Sequence, residues 1–341
     1  MFGRNEIRRS FRMESEIGAG GGGAVYKAWH KRMQKYVVVK EYKHDSKNDA
    51  KTRRNEIEAL KNAKCAYLPQ VFDYFAMGKR SYTVMEYIEG ESLDKPLKRG
   101  KKSTQSQVIE WYSQLAFTLK SLHGQDVCHR DIKPANIMLT PGGDVCLIDF
   151  NAALVRGEKT YFASRSPGYA SPEQYEFFER FENAHISQVA RRDSGAGVDP
   201  YYDADTQTLD GCSITDLING NDPFADPLAG ENDVRTSLLS GLPTISGIDW
   251  KLSDIYSLGA TMYHLLTGKR PPVRPAESVT VTGHGDYDEG LAYIIEKSMQ
   301  IRPSDRFASA ALLADIIRQV EEYNAVHTLI AAGREFSPAL R

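Results

Sequence analysis

The sequence predicts an α+β fold of two lobes, in which a small antiparallel β-sheet with one key helix precedes a larger, mainly helical part. Strand-like runs occur at 11–29, 36–40, 68–75 and 80–87, and a glycine-rich turn interrupts the first of them. From Ser103 onward, apolar residues recur at helical spacing. A chain of 341 residues is long enough to give both lobes an adequate core.

The composition argues against several classes of protein. A formal net charge of −2 gives no support for a nucleic-acid partner, and no stretch approaches the roughly 18–20 apolar residues of a membrane span. The first residues do not have the pattern of a signal peptide. The four cysteines lie far apart without a C-x-x-C pair, which favours reduced thiols in a cytoplasmic protein over a disulfide framework or a metal site.

The small lobe is predicted to begin with a strand, a glycine-rich turn and a second strand between Phe11 and Trp29. The spacing of Gly18, Gly20 and Gly23 also occurs in dinucleotide-binding folds, but in those folds a helix follows the third glycine. Here the residues that follow alternate like a strand. We therefore expect a hairpin whose backbone N–H groups bind phosphate, with a flexible glycine linker as the alternative.

Lys40 is the most informative residue of the next predicted strand, Tyr36–Lys40. A lysine that follows three valines is costly to bury unless its ammonium group meets an anion. A helix is predicted from 48 to about 63, and strands at 68–75 and 80–87 complete the lobe.

The larger lobe is predicted to be mainly helical. A helix at 103–123 has a regular apolar stripe and ends at Gly124. A buried helix opens at Ser253 and ends near Gly268. Helical patterns resume at Tyr287, and their apolar stripes contain Ile294, Ile295, Met299, Leu312, Leu313, Ile316 and Val320.

The stretch Cys128–Asn151 carries the residues that indicate a chemistry. Two short apolar runs flank a Gly-Gly turn, which predicts a β-hairpin with Asp131 and Asn136 before it and Asp149 after it. We expect these three side chains to face a common space. Phosphoryl transfer needs such a set, because one carboxylate accepts the proton of the nucleophile while further oxygens hold Mg²⁺ against the phosphates.

The pattern H-R-D-x-K-x-x-N at 129–136, with Asp-Phe-Asn at 149–151, strongly resembles the catalytic loop and metal-binding strand of eukaryotic-type serine/threonine protein kinases, in the style of the bacterial members. The resemblance implies a bilobal protein-kinase-like fold. Its expected parts are a lead-in at 1–10, an N-lobe at 11–88, a C-lobe at 89–323 with an insertion at 176–250, and a tail at 324–341.

The resemblance also implies a role for each polar residue of the stretch. Asp131 would be the catalytic base, and Lys133 would neutralise charge on the moving phosphoryl group. Asn136 and Asp149 would bind Mg²⁺ through oxygen atoms. His129 would pack structurally rather than act as a base.

ATP is the nucleotide that the resemblance implies. Lys40 would contact its α- and β-phosphates and pair with Glu56, or with Glu58 as the second choice. Met85 begins a stretch that is similar to the hinge between the lobes, where backbone groups bind adenine. The implied nucleotide-binding residues are Ile17, Gly18, Gly20, Gly23, Val25, Val38, Lys40, Met85, Glu86, Ile88 and Met138.

The activation segment would extend over 152–173, and three positions in or beside it depart from the family pattern. Asn151 replaces the glycine of D-F-G, but asparagine tolerates the left-handed backbone that we expect in this turn. Ser166 replaces the threonine that bonds the catalytic aspartate and lysine, and it keeps the hydroxyl group. Arg165 stands where glycine is usual, beside the substrate-facing groove.

Three further charged residues have implied partners. Glu173 should pair with Arg306, and Asp254 should brace the catalytic loop. Arg130 suggests a basic socket for a phosphate on the activation segment. The candidate phosphorylation sites are Thr160 and Ser164.

The insertion at 176–250 is strongly acidic. It contains 14 acidic and 4 basic residues, so its net charge is −10 and that of the remainder is +8. A disordered loop, a docking surface and a competitive cover of the peptide site are all consistent with this composition. The aspartates at 203, 205 and 210 are spaced like calcium ligands, but the glycine and terminal glutamate of a calcium loop are missing, so we reject that site.

The expected function is an ATP- and Mg²⁺-dependent serine/threonine protein kinase that acts on protein substrates and has itself as a possible substrate. A pseudokinase or scaffold that binds nucleotide without turnover is an alternative, which Asn151 and the insertion favour. A kinase of small molecules is a third, although the segment Ser166–Glu173 favours peptides. The residues that argue against a pseudokinase are Lys40, Asp131, Asn136 and Asp149.

Overall fold

The computed structural model describes residues 9–20, 23–42, 57–61, 63, 65–77, 80–155, 166–179, 202–203, 208–209, 212–213, 248–274, 277–281 and 285–335. The chain divides into two compact units. The first unit comprises 1–54, 72–85 and 175–248, and the second comprises 55–71, 86–174 and 249–341.

The main sheet of the first unit has five strands in the order β1-β2-β3-β5-β4. Gly20 pairs with Gly23 across a two-residue connection, and a strand follows Gly23, so the predicted hairpin is confirmed. The strands of this sheet are β1 (Phe11–Gly20), β2 (Gly23–His30), β3 (Lys35–Tyr42), β4 (Val71–Met77) and β5 (Arg80–Glu86).

Alternation along β3 separates the core of this unit from its other face. Val37 and Val39 are fully buried, whereas Val38 and Lys40 are half-buried on the opposite face. Val25 pairs with Lys40 across the β2–β3 ladder, so Val25, Val38 and Lys40 share that face. The buried core residues are Phe11, Ala28, Val37, Val39, Tyr82 and Val84.

The fourth strand begins three residues later than its predicted start at Leu68. Residues 66–68 form a turn in which Leu68 N–H donates to Cys65 O at 3.3 Å. Pro69 follows and has no N–H to give to a ladder, which explains the delay. Of the helix predicted at 48–63, residues 57–61 are described as helical. Ala59, Leu60 and Leu68 contribute to the core of the second unit.

The second unit is mainly helical. Its helices are α1 (Asp94–Lys98), α2 (Gln105–His123), α3 (Trp250–Thr267), α4 (Glu289–Ser298) and α5 (Ala310–Glu335). Residues 172–179 are also helical, and of these 172–174 belong to the second unit and 175–179 to the first. Its short strands are β6 (Glu91–Ser92), β7 (Val127–Cys128), β8 (Ile137–Leu139), β9 (Val145–Leu147) and β10 (Leu154–Val155). In the first unit, a three-stranded sheet consists of β11 (Tyr202–Asp203), β12 (Thr208–Leu209) and β13 (Cys212–Ser213).

Helices α2 and α3 end in different ways. Thr104 opens α2 with a capping box that Gln107 completes, and the apolar stripe of α2 is buried as predicted. Gly124 ends α2 in the right-handed region, with φ −64°. Helix α3 is buried on nearly all sides, and Gly268, with φ 70°, caps it in the left-handed conformation that favours glycine.

Helix α5 corrects one predicted core residue and extends past the predicted tail boundary. Leu313 and Ile317 are fully buried, but Leu312 is 44% exposed. Neighbouring helical residues differ by about 100° around the axis, so the face that buries 313 and 317 turns 312 towards solvent. The helix continues beyond Tyr323 to Glu335 through an alanine-rich stretch without proline. None of the described helices combines the length and apolarity of a membrane span.

Candidate active site

The hairpin of β8 and β9 brings the two ends of the predicted site together. Ile137 pairs with Leu147, and the N–H of Ile148 donates to the carbonyl of Asn136 at 2.8 Å. A 3₁₀ turn at Pro134–Asn136 returns the chain from Asp131 to the hairpin. Asp131, Asn136 and Asp149 therefore all lie near the same end of the hairpin.

Asp131 is the centre of a side-chain cluster. Its Oδ1 accepts a hydrogen bond from Ser166 Oγ at 2.7 Å, and its Oδ2 lies 2.9 Å from Lys133 Nζ. Asn136 Nδ2 donates to the same Oδ2 at 3.0 Å and to the Asp131 carbonyl at 2.8 Å. Lys133 Nζ also donates to Ser166 Oγ at 2.9 Å. Several hydrogen-bond donors thus fix the carboxylate. The side chains of Asp131 and Lys133 nevertheless remain 11% and 26% exposed to solvent.

Asp254 anchors the loop that carries Asp131, as the sequence predicted. This fully buried residue of α3 accepts the N–H of Arg130 at 2.7 Å and the N–H of His129 at 2.8 Å. His123 Nε2 lies 2.9 Å from the same carboxylate. The position of the loop is therefore set by the most buried helix of the second unit.

His129 packs inside the second unit, which agrees with its expected structural role. The N–H of Asp131 donates to Nδ1 at 3.3 Å, and Nε2 lies 3.2 Å from the carbonyl of Ile148. Its ring also meets Phe150 edge to face, with centroids 4.7 Å apart. Both ring nitrogens are engaged and the residue is fully buried, so it is not placed to act on a substrate.

The backbone turn that follows β9 differs from our expectation for Asn151. Asp149 and Arg130 have φ values of 65° and 63°, whereas Asn151 is not among the described residues with positive φ. The left-handed position therefore lies at Asp149, and aspartate tolerates it as asparagine does. Asn151 is exposed, which is a simpler reason why a side chain is accepted there.

Arg130 is buried rather than open to a phosphate in this conformation. It is 2% exposed, its Nε donates to the carbonyl of Ala152 at 2.7 Å, and its guanidinium lies 5.2 Å from the centre of the Trp250 ring. Gln174 Nε2 donates to its carbonyl at 3.0 Å. The predicted phosphorylation sites Thr160 and Ser164, like Arg165, lie outside the described residues, so the phosphate socket stays a prediction.

The predicted pair of Glu173 and Arg306 is confirmed. Arg306 binds both carboxylate oxygens, at 2.6 and 2.9 Å. Its other N–H groups donate to the carbonyls of Gln300, Leu252 and Ile301. All five donors of the guanidinium are therefore used, in a site where the arginine side chain is fully buried.

Sequence reasoning missed a second polar cluster beside Ser166. The hydroxyl of Tyr169 lies 2.6 Å from Nδ1 of His264, and the guanidinium of Arg270 lies 5.7 Å from the Tyr169 ring. Burial raises the pKa of Tyr169, while burial and the nearby Arg270 lower the pKa of His264 to about 4. Some 95 positions separate the tyrosine from the histidine, and no spacing in a single sequence joins them.

The predicted nucleotide-binding residues are distributed over both units. The first unit holds Ile17, which is 49% exposed, the glycines of the β1–β2 hairpin, and the shared face of Val25, Val38 and Lys40. In the second unit, the N–H of Glu86 donates to the carbonyl of Gln70 at 2.8 Å. Met85 belongs to the first unit, and Ile88 and the half-buried Met138 belong to the second. Glu56 lies outside the described residues.

Comparison with known proteins gives one family and several relatives. The family model described as "Protein kinase domain" matches residues 11–185. A probable serine/threonine-protein kinase of Clostridium acetobutylicum is 34% identical over 49% of this chain, and a serine/threonine-protein kinase of Myxococcus xanthus is 30% identical over 49%. Serine/threonine-protein kinase D of Synechocystis sp. is 26% identical over 98% of the chain. The matches cover 27%, 34% and 55% of these three relatives.

Proposed function

The chain belongs to the protein kinase domain family, and from this premise we propose that it is an ATP- and Mg²⁺-dependent serine/threonine protein kinase. The observation that supports the proposal most strongly is a cluster of side chains joined by hydrogen bonds and a salt bridge, which consists of Asp131, Lys133, Asn136 and Ser166. It combines a partly exposed carboxylate with an ammonium group and a hydroxyl group, which suits the transfer of a phosphoryl group to an alcohol.

Asp131 is the proposed base. Its hydrogen bonds with Ser166 and Asn136 hold the carboxylate in one orientation, so that it can accept the proton of a serine or threonine hydroxyl. Lys133 lies 2.9 Å from that carboxylate, and its charge would oppose the negative charge of the phosphoryl group as it moves. In a loose transition state this positioning matters more than the strength of the base.

Asn136 and Asp149 are the proposed ligands of Mg²⁺. An amide oxygen and a carboxylate oxygen are the hard donors that this ion prefers, and the hydrogen bond from Ile148 N–H to Asn136 O holds their two segments side by side. When bound, the ion would neutralise charge on the phosphate oxygens. The left-handed backbone of Asp149 fixes the direction in which that residue leaves β9.

Lys40 is the proposed ligand of the α- and β-phosphates of ATP, with Glu56 as its partner. The alternation of β3 supports this role, because it keeps Lys40 out of the core and beside Val25 and Val38. The glycine hairpin would bind phosphate through its backbone N–H groups, and the hinge residues Glu86 and Ile88 would bind adenine.

Proteins are the proposed substrates, and the chain itself is a possible one. The segment from Ser166 to Gln174 supports this, because it makes hydrogen bonds with both Asp131 and Arg130 and so presents an ordered edge beside the base.

We also propose a cytoplasmic location. The free thiols of Cys128 and Cys146 support it, since burial raises the pKa of both and leaves them as packing residues.

One incubation with labelled ATP, Mg²⁺ and a mixed protein substrate tests the proposal. Wild type should transfer phosphate to serine and threonine, and Asp131→Asn should lose about a thousandfold in kcat while it folds normally. Asp315→Asn, on the exposed surface of α5, is the matched control and should retain full activity. ATP binding without transfer would contradict the proposal in favour of a nucleotide-binding scaffold. Transfer only to added metabolites would favour a small-molecule kinase.

A further inference from the structure

Two basic stretches of the second unit lie against each other. Residues 89–103 and 268–274 contain eight basic and three acidic residues, a net charge of +5. The N–H of Ser103 donates to the carbonyl of Leu265 at 3.1 Å, near the end of α3. A Cβ added to Gly268 would lie only 2.9 Å from Cε of Lys102. The side chain of Lys102 therefore lies along Gly268, next to Lys269.

The acidic residues of these stretches do not balance the basic ones. Asp94 pairs with Lys98 at 2.7 Å, and Glu91 binds Arg99 through two contacts of 2.6 and 3.0 Å. The hydrogen bond with Arg99 lowers the pKa of Glu91, and the charges of Lys95 and Lys101 lower it further. We call the other six exposed cations of these stretches the basic patch, and they are Lys95, Lys101, Lys102, Lys269, Arg270 and Arg274.

The basic patch touches the segment that bonds the proposed base. Gly168 has a φ of 80°, and a Cβ there would lie 2.7 Å from the carbonyl of Pro271 and 2.9 Å from Cγ of Arg270. Ser166, two residues earlier, donates to Asp131. A chain of direct contacts thus leads from Asp131 through the Ser166–Gly168 backbone to Arg270.

We propose that the basic patch selects protein substrates that carry acidic residues beside the serine or threonine to be phosphorylated. This inference rests on the proposed kinase function and deepens it. Exposed charges attract within about 8 Å at physiological salt, so a cationic surface that adjoins the base acts on the residues flanking the acceptor. Each exposed pair contributes little by itself, and several together set a preference among peptides.

The acidic insertion of the chain is a rival occupant of the basic patch, because its net charge is −10. The contacts favour a substrate instead, since Arg270 packs on the same segment that holds Ser166 against Asp131. The two occupants predict opposite effects on activity when the charge of the basic patch is reversed. A substrate site would lose its acidic preference, whereas a patch masked by the insertion would be released for every peptide.

Serine peptides of one length, with flanking residues all glutamate, all alanine or all lysine, test the inference on the full chain. Wild type should show the highest kcat/KM for the glutamate peptide. In Lys102→Glu/Lys269→Glu this advantage over the alanine peptide should fall about tenfold, mainly through KM. The matched control is Lys120→Glu/Arg302→Glu, which reverses two exposed charges outside the patch and should keep the wild-type order.

Fluorescence anisotropy of the same labelled peptides separates this inference from the kinase proposal, because it needs no phosphate transfer. Salt-sensitive binding of the glutamate peptide that is weakened in Lys102→Glu/Lys269→Glu supports the inference even if transfer fails. Equal binding and equal kcat/KM of all three peptides to wild type would overturn it. A uniform rise in activity of the patch variant on every peptide would also overturn it, in favour of the insertion.

Discussion

Two ion pairs of the second unit, each between a carboxylate and a basic side chain, have similar chemistry but different surroundings. In the pair of Glu173 and Arg306, the arginine side chain is fully buried and all of its donors are used. In the pair of Asp131 and Lys133, the carboxylate is as exposed as that of Glu173, at 11%, but the lysine side chain is 26% exposed, and the hydroxyl of Ser166 joins the two groups. The first arrangement resists replacement of any contact by water or a ligand, and the second permits it.

This difference indicates how each pair contributes. Removing one partner of a buried pair leaves a charge without compensation and destabilises a protein by about 3–5 kcal/mol, whereas exposed pairs contribute about 0–1 kcal/mol. The Glu173–Arg306 pair should therefore determine whether the second unit folds. The Asp131–Lys133 pair should determine the rate of the reaction with little effect on folding.

Charge reversal of Arg306 should give the largest effect on the stability side of the comparison. Arg306→Glu places two carboxylates together and strands the carbonyls of Gln300, Leu252 and Ile301, so the free energy of unfolding should fall by about 3–5 kcal/mol. Urea unfolding followed by circular dichroism measures it. Arg302→Glu, an exposed site four residues earlier, serves as the control. An unchanged urea midpoint for Arg306→Glu would remove the distinction between the two pairs.

Removal of the bridging hydroxyl tests the reactive side of the comparison. Ser166→Ala should lower kcat about 10- to 100-fold, because Asp131 and Lys133 lose the group that joins them, while stability should change by less than about 1 kcal/mol. Ser166→Thr keeps the hydroxyl and should retain most of the activity. The comparison would fail if the alanine variant unfolded more easily than Arg306→Glu, or if both Ser166 variants lost activity equally.

The pH dependence of His264 sharpens the comparison with a smaller effect. Its pKa is lowered to about 4 by burial and by Arg270, so between pH 6.5 and 4 the unfolded chain binds the proton that the folded chain rejects. The free energy of unfolding should therefore decrease as the pH is lowered from 6.5 to 4. The expected loss is about 1 kcal/mol, because His264 is partly exposed.

The matched variant is His264→Asn, which retains an acceptor for the Tyr169 hydroxyl but does not titrate. Urea unfolding of both proteins at pH 7 and pH 5 gives the comparison. The wild type should lose more stability than the variant on going to the lower pH. Equal losses would show that His264 makes no contribution to the acid sensitivity of this region.

Local spacing predicted the parts of the site that are close in sequence. The hairpin at 137–147 follows from turn residues and alternation. The loop of Asp131, Lys133 and Asn136 was predicted from its resemblance to a family pattern, and the structure places loop and hairpin together. The glycine hairpin was separable from a nucleotide-binding strand–helix turn because a strand pattern follows Gly23. These signals extend over a few residues, and therefore a single sequence contains them.

Contacts between segments that are distant in the sequence could not be predicted in this way. The pairing of Tyr169 with His264 and the packing of Arg130 on Trp250 depend on how helices and loops meet, which no periodicity specifies. The same limit explains Asn151, since the residue type correctly allowed a left-handed turn but could not tell which position adopts it. Leu312 was assigned to the core because two adjacent leucines fit an apolar stripe equally well, and only packing distinguishes them.

Asp254 accepts hydrogen bonds from two consecutive peptide N–H groups of the loop that carries Asp131, and this has a consequence for regulation. Displacing the loop would mean breaking both of these hydrogen bonds to a fully buried carboxylate. We therefore expect Asp131 to stay still in the molecule while other parts adjust around it. Inhibition of such a protein would then come from denying partners access to a permanently assembled centre, and not from taking that centre apart.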